Sequence, residues 1–440
     1  MTAKNLPEEV LRTARDQGVR FVQLWFADLL GNLKSVEIAA RDLEAALAEG
    51  VGFDGSSVHG FARIDESDMM LRPDPATFAT LPWGNVGCII CDVYEPDGRP
   101  YAGDPRGVLQ RALARGRSQG LEMCVGPEVE YFYFNSAQAP ETLDSAGYFD
   151  VVPPDEGLEL RRETVLVLES MGIQVEAAHH EAAPSQHEID LRFGNALTMA
   201  DRLLTTRFVV KEVARRHGTH ATFMPKPLFG QNGSGMHTHQ SLLRSDGRNA
   251  FFDQDDPLYL SPLAKCYIAG LMRHAREIIG LCAQWVNSYK RLVPGYEAPA
   301  YITWARRNRS TMIRVPGYNP GKEMATRIEF RAPDPACNPY LAFAVMLYAG
   351  LEGVEKRYPL PEPMERDVYV MDAVEREALG IAELPGSLNE AIAEMEKSRI
   401  VHQALGEHVF QKFIENKKIE WDLYRVRVHR YELEQYLAVL

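Results

Sequence analysis

Gly126-Pro-Glu128-Val-Glu130-Tyr-Phe-Tyr-Phe134 reads as a strand of period two, with Glu128 and Glu130 on one face and aromatic rings anchoring both faces. Two carboxylates roughly 7 Å apart on a mostly apolar strand repel each other unless a cation lies between them. Alone, the pair fits a solvated strand edge as well as a metal site. Three clusters further along the chain change that balance.

The first is His179-His-Glu181-Ala-Ala-Pro-Ser-Gln-His-Glu188-Ile-Asp190, where Pro184 and Ser185 make a turn that lets Glu181 and Glu188 converge. The second is Asn232-Gly-Ser-Gly-Met-His237-Thr-His239-Gln-Ser241, in which Gly233 and Gly235 allow close backbone approach and the two histidines share a face. The third is Arg327-Ile-Glu329-Phe-Arg331, with its charged residues on one face and Ile328 and Phe330 on the other. A charged face backed by an apolar one must enclose water, metal or a charged ligand. Together, Glu128, Glu130, Glu181, Glu188, Glu329 and His237 make six ligands for hard divalent cations, without a thiolate, and suit Mg²⁺ or Mn²⁺ better than Zn²⁺. Arginines 291, 309, 327 and 331 match carboxylate and phosphate groups. Carboxylates, metals and arginine forks are the parts needed for phosphoryl transfer.

Outward from these clusters, periodicity predicts helices over 5–18, 39–49, 106–119, 156–171 and 199–216, and strands over 19–26, 88–94, 126–134, 188–193 and 325–331. The stretch from 52 to 58 is read as a loop because it is rich in small and polar residues, and 338–440 as mostly helical. Cys88 and Cys91 spell C-x-x-C, but on a strand they face opposite sides, so a buried strand is the reading. The Pro/Gly-rich stretch 95–105, ending in the capping pair Asp104-Pro105, is the best domain boundary.

Composition excludes several classes. The 440 residues carry 48 Lys+Arg against 61 Asp+Glu, a net −13 that argues against a nucleic-acid surface. With 45% hydrophobic and 25% charged residues, the chain can bury a substantial core. The longest apolar stretch, 340–351, is far below the ~20 residues of a membrane helix, and the first residues lack an apolar signal core. A soluble, cytoplasmic protein is the expectation.

The clusters, with Phe53-Asp-Gly-Ser-Ser57, Asn287-Ser-Tyr-Lys-Arg291-Leu-Val-Pro-Gly-Tyr-Glu297-Ala-Pro and Ile419-Glu-Trp-Asp-Leu-Tyr-Arg, resemble class I glutamine synthetase over essentially the whole chain. The resemblance implies an α+β fold: a small N-terminal β-grasp domain (1–104), then a catalytic domain (105–440) with a curved antiparallel sheet, or half-barrel, flanked by helices. It implies a dodecamer of two stacked hexameric rings, each site completed by a neighbour's N-terminal domain. One metal would be held by Glu130, Glu181 and Glu188, and another by Glu128, His237 and Glu329, with two to three Mg²⁺ or Mn²⁺ in all. Asn232, Gly233, Arg291, Glu297 and Arg331 would bind glutamate. Asp54, Ser57, Tyr148, Glu181 and Glu297 would bind ammonium. Glu176, Phe193, His239, Ser241, Arg309 and Arg327 would surround ATP. Catalysis would fall to Asp54, Glu297, Arg309 and Arg331.

The short segment between Phe134 and Tyr148, and the absence of an adenylylation-loop pattern over 356–371, resemble the shorter α-type. That type is regulated by feedback, for which Arg63 matches a coupling position, and by nitrogen-regulatory protein partners. The implied reaction is ATP-dependent formation of glutamine from glutamate and ammonia through γ-glutamyl phosphate. Its nearest rival is a ligase of γ-glutamylpolyamine synthetase type using another amine, against which the complete ammonium set argues.

Overall fold

The computed structural model describes residues 6–56, 58, 68–318 and 320–440. Ser57 and Arg63 lie outside the described residues. The first part of the chain forms a sheet ordered Leu33–Ala39, Phe21–Ala27, Val86–Tyr94, Asp68–Pro73, Val51–Asp54. All neighbours in it are antiparallel except Phe21–Ala27 with Val86–Tyr94. The Leu6–Asp16 helix buries Val10 and Ala14 against this sheet's apolar core.

Two expectations fail here for physical reasons. Residues 39–42 do not begin a helix: Ala39 ends the Leu33–Ala39 strand, a 3-10 turn follows, and the helix is Leu43–Glu49. The hairpin register Phe21↔Ala39 extends the first strand's pairing that far, and pairing overrides helix propensity. Residues 52–54, expected in a loop, instead complete the edge strand Val51–Asp54, in which Val51 and Phe53 alternate with Gly52 and Asp54 and pair with Leu71 and Met69. Cys88 and Cys91 do face opposite sides, Cys88 against Trp25 and Ile90, Cys91 among Val22, Leu24 and Val93. Both thiols are pushed up by burial, so neither is a ready ligand or nucleophile.

The larger part carries a sheet ordered Trp304–Ala305, Ile313–Arg314, Ile328–Phe330, Thr238–Arg244, Leu121–Phe134, Gln186–Leu191, Val175–His180. It is antiparallel except between Trp304–Ala305 and Ile313–Arg314. The central strand begins at Leu121 rather than 126, and the Ile328–Phe330 strand is shorter than expected because 323–325 form a 3-10 turn. The helices Pro105–Ser118, Leu158–Ser170 and Ala196–Arg216 match their expected positions to within three residues at either end. The apolar stretch 340–351 belongs to the Pro339–Lys356 helix, which is buried on nearly every side. It approaches the Pro262–Arg273 helix so closely that a Cβ on Gly353 would lie 2.1 Å from the Cys266 carbonyl oxygen.

Two polar joints bind the parts together. Asn338 caps the Pro339–Lys356 helix and donates through Nδ2 to the carbonyls of Asp28 and Leu29 in the turn after the first strand. Arg106, one residue into the Pro105–Ser118 helix, reaches Asp74 at 2.7 Å, Asp92 at 2.6 Å and Asp201 at 3.0 Å. No helix among the described residues is long and apolar enough to cross a membrane.

Candidate active site

Strand register assembles the site. The central strand pairs Glu128 with Asp190 and Glu130 with Glu188, while Glu329 stands opposite both His239 and Arg314. Like charges placed directly opposite one another destabilise a sheet unless something compensates them. All six proposed metal ligands line one cavity of about 400 Å³, with Tyr148, Asn232, Gly233, Arg291, Glu297, Arg309 and Arg331. A second cavity of about 700 Å³ is lined by Glu176, Phe193, His239, Ser241 and Arg327, and Glu128 and Asp190 belong to both. Thus five of the six residues assigned to ATP surround the second cavity. The sixth, Arg309, lies in the first beside the carboxylates.

Ligand atoms of Glu128, His237 and Glu329 lie within 4.8 Å of one another. Burial alone would raise both carboxyls. For Glu128, hydrogen bonds from His237 at 3.1 Å and His239 at 2.7 Å outweigh it and hold the group well below the usual range. For Glu329, Arg331 chiefly, with His237, His239 and Arg314, brings it down to about 2. His237, pushed down to about 4 by burial and then Arg331, stays neutral and keeps a lone pair for a cation. This trio fits a hard divalent ion.

The other carboxylates crowd differently. Burial raises Glu130, Glu181 and Glu188, and the charges of Glu181 on Glu130 and of Glu130 on Glu188 add to it. Glu130 Oε2 accepts Gln186 Nε2 and the Gly235 N–H, both at 2.9 Å. A second cluster on this side of the cavity is His179, Glu188 and Asp190, again within 4.8 Å, and Asp190 Oδ1 is buried without a hydrogen-bond partner. Carboxylates raised by one another in this way fit the donor chemistry of a second cation. His179 and Asp190 received no role in the sequence reading, although Asp190 follows Glu188 by two on one strand and so shares its face. Arg314, ion-paired to Glu329, and Tyr296 were also missed, and their short or irregular segments carry no periodic signal.

The arginines differ in what they can still bind. Arg291, 2% exposed, donates to the carbonyls of Arg331, Ala332 and Pro333. Arg331 reaches Glu329 at 2.6 Å and the Glu297 carbonyl at 3.3 Å, while its Nε is buried without a hydrogen-bond partner. Glu297 itself has a left-handed φ of 55°, two residues after Gly295 at 92°, and lines the cavity. Tyr148 is pushed up by burial and by Glu181. Asp54 is the residue the chain does not bring in: it ends the exposed edge strand and lines neither cavity. Hydrogen bonds from Ser56 hold it low.

A further buried group, Asp144, Asp155, His180 and His187, also has ligand atoms within 4.8 Å. Arg161, bonded to Asp155 at 2.7 Å and to His187 Nδ1 at 2.7 Å, already supplies the cation there.

Residues 102–436 match the family described as "Glutamine synthetase, catalytic domain", and residues 18–96 match "Glutamine synthetase, beta-Grasp domain". Glutamine synthetases of Methanosarcina mazei and Mycolicibacterium smegmatis are each 51% identical, over 98% of this chain and 98% and 99% of theirs. That of Thermus thermophilus is 49% identical over 98% of both chains. A solved structure described as "GmaS/ADP complex-Conformation 1" is 32% identical, with a TM-score of 0.89 over 98% of this chain and 99% of its own. Plasmodium falciparum glutamine synthetase, seen by electron cryomicroscopy, gives 25% and 0.87 over 98% of both chains.

Proposed function

The chain belongs to the glutamine synthetase family, both of whose domains it spans, and from that premise we propose how its own residues join ammonia to glutamate at the expense of ATP. The observation that carries the reading is the pair of cavities meeting at Glu128 and Asp190. One is lined by acids and arginines, the other by the residues assigned to the nucleotide. The similarity to a structure described as an ADP complex supports a nucleotide site in this chain.

Mg²⁺ or Mn²⁺, two to three ions held by Glu128, His237 and Glu329 and by Glu130, Glu181 and Glu188, would neutralise the charge between the γ-carboxylate and the phosphates. Asn232, Gly233 and Arg291 hold glutamate so that its γ-carboxylate oxygen faces the terminal phosphorus of ATP. An O–P bond forms, the bond to the ADP oxygen breaks, and Arg309 and Arg331 balance the charge of the transferring group. Ammonium, held by Tyr148 and Glu181, loses a proton to Asp54. The nitrogen then attacks the acyl carbon, phosphate leaves, and Glu297 takes the second proton while covering the site against water.

Asp54 sits on an exposed edge strand and lines neither cavity of its own chain. On this proposal a second copy supplies it, with Ser57, in a dodecamer of two hexameric rings in the cytoplasm. The 1–104 part serves a neighbour and the 105–440 part its own site. Regulation by glutamine through Arg63 and by nitrogen-responsive proteins belongs to the same proposal.

The test is phosphate release with glutamate and ATP, comparing ammonium with putrescine. Ammonium should drive stoichiometric phosphate and glutamine, and putrescine should drive neither. A preference for putrescine would overturn the acceptor assignment in favour of a polyamine ligase.

A further inference from the structure

The histidine doublet at the end of the Val175–His180 strand sends its two rings to opposite faces. His179 lines the first cavity, edge-on to Phe149 at 4.7 Å and to Tyr148 at 5.6 Å. His180 turns the other way and is 0% exposed. Its Nε2 lies 3.2 Å from Asp144 Oδ1, and its Nδ1 lies 2.7 Å from the carbonyl oxygen of Glu181.

Asp144 Oδ1 also accepts the N–H of Ser185 at 2.8 Å, and Ser185 Oγ accepts the N–H of Leu143 at 2.7 Å and of Asp144 at 3.1 Å. Ser185 has a φ of 61°, a left-handed conformation that a serine keeps only where its surroundings hold it. Asp144 therefore grips the turn that joins Glu181 to Glu188, and His180 grips the backbone of Glu181 itself. The His180 carbonyl accepts the N–H of Phe149 at 3.1 Å, one residue beyond Tyr148. Tyr148 thus hangs from the strand that presents Glu181, and Asp144 ties the start of its loop to the turn after Glu181.

A buried polar pair is a poor way to gain stability, and here Asp144 Oδ2 is buried with no hydrogen-bond partner at all. What the pair fixes is geometry. We propose that Asp144 and His180 are a positioning pair for the amine side of the site, setting Tyr148 and Glu181 at the spacing that ammonium needs while touching no substrate. The inference rests on the assignment of Tyr148 and Glu181 to ammonium made above.

The experiment is steady-state kinetics on full-length enzyme for each substrate separately, with Asp144→Ala, Asp144→Asn, Tyr148→Phe and the Asp144→Ala/Tyr148→Phe double variant. Asp144→Ala should raise the KM for ammonium about tenfold and those for ATP and glutamate several-fold less, because Tyr148 serves ammonium alone while Glu181, which also holds a cation, stays joined to the Gln186–Leu191 strand through its N–H to the Gln186 carbonyl. Asp144→Asn keeps the Oδ1 acceptor and should restore most of the loss. The double variant should be no worse for ammonium than the poorer single one, because both changes act on one contact. If Asp144→Ala does not assemble, His180→Phe keeps a ring, removes both nitrogens and should give the same selective rise in ammonium KM.

An unchanged ammonium KM in Asp144→Ala (or His180→Phe) beside a raised one in Tyr148→Phe overturns the positioning pair alone. So does a uniform rise in all three KM values that Asp144→Asn leaves unrestored. An unchanged ammonium KM in Tyr148→Phe overturns the ammonium assignment itself, and the pair's role with it.

Discussion

Glu329 is fully buried, yet Arg331 and neighbouring charges keep its carboxyl near 2, so it is ionised at every working pH and available as a ligand. On the proposed assignment its replacement by alanine removes a carboxylate ligand of a cation, and that of Glu130 by glutamine removes a ligand's charge. Activity at saturating Mg²⁺ and ATP should fall at least ~100-fold, while sedimentation shows an assembled protein. Glu297 has a different duty. On the proposed mechanism Glu297, which lines the cavity, acts after the acyl phosphate has formed. Glu297→Ala should lower glutamine formation by roughly 10²-fold or more but keep phosphate release, so the ratio of phosphate to glutamine should rise above one. Equal ratios in variant and parent would contradict that role. At this scale the sequence was informative wherever alternation on a strand places charges on one face, as for Glu128, Glu130 and Glu329. It was silent on Arg314, whose strand of two residues has no period to read.

Among the elements, the Pro105–Ser118 helix carries the joint between the two parts of the chain. Its cap, Asp104, accepts the N–H of Arg106 and of Val93, and burial first and Asp92 second push its carboxyl up to about 7. A carboxyl raised from 3.8 to about 7 on folding favours the folded state while protonated. That contribution is fully present below the unfolded value and is lost as pH rises through about 7. Asp104→Asn removes the titration, so its melting temperature relative to the parent should climb by a few degrees between pH 4 and pH 8. A pH-independent difference would show that Asp104 stays ionised in the folded protein. The cap itself was legible, because Asp-Pro before an amphipathic run starts a helix. The Arg106 clamp was not, since its three carboxylates are 14, 32 and 95 residues away in sequence. The edge strand Val51–Asp54 is hard to read for a related reason: its order comes from pairing with Asp68–Pro73, and two β-prone residues, Val51 and Phe53, are too few to set a period against the Gly-Ser-Ser that follows.

For the whole molecule, the central claim is that one chain holds the metals and phosphates while another completes the amine pocket. The sheet, the two cavities and the helical C-terminal part all form within a single chain. Asp54 is the exception, exposed at the end of an edge strand and lining neither cavity. No periodicity shows which copy a residue serves. The family resemblance raised the sharing of sites, and the geometry of Asp54 now supports it. The direct measurement mixes two inactive variants, Asp54→Ala and Glu329→Ala, denatured or co-expressed together so that they assemble at random. If a neighbour's Asp54 serves each site, about one quarter of sites in an equal mixture combine an intact Glu329 with an intact Asp54, and glutamine synthesis should return to about that fraction of the parent's. Mixed oligomers that form, as shown by differently tagged chains purifying together, and yet recover no activity would contradict the account.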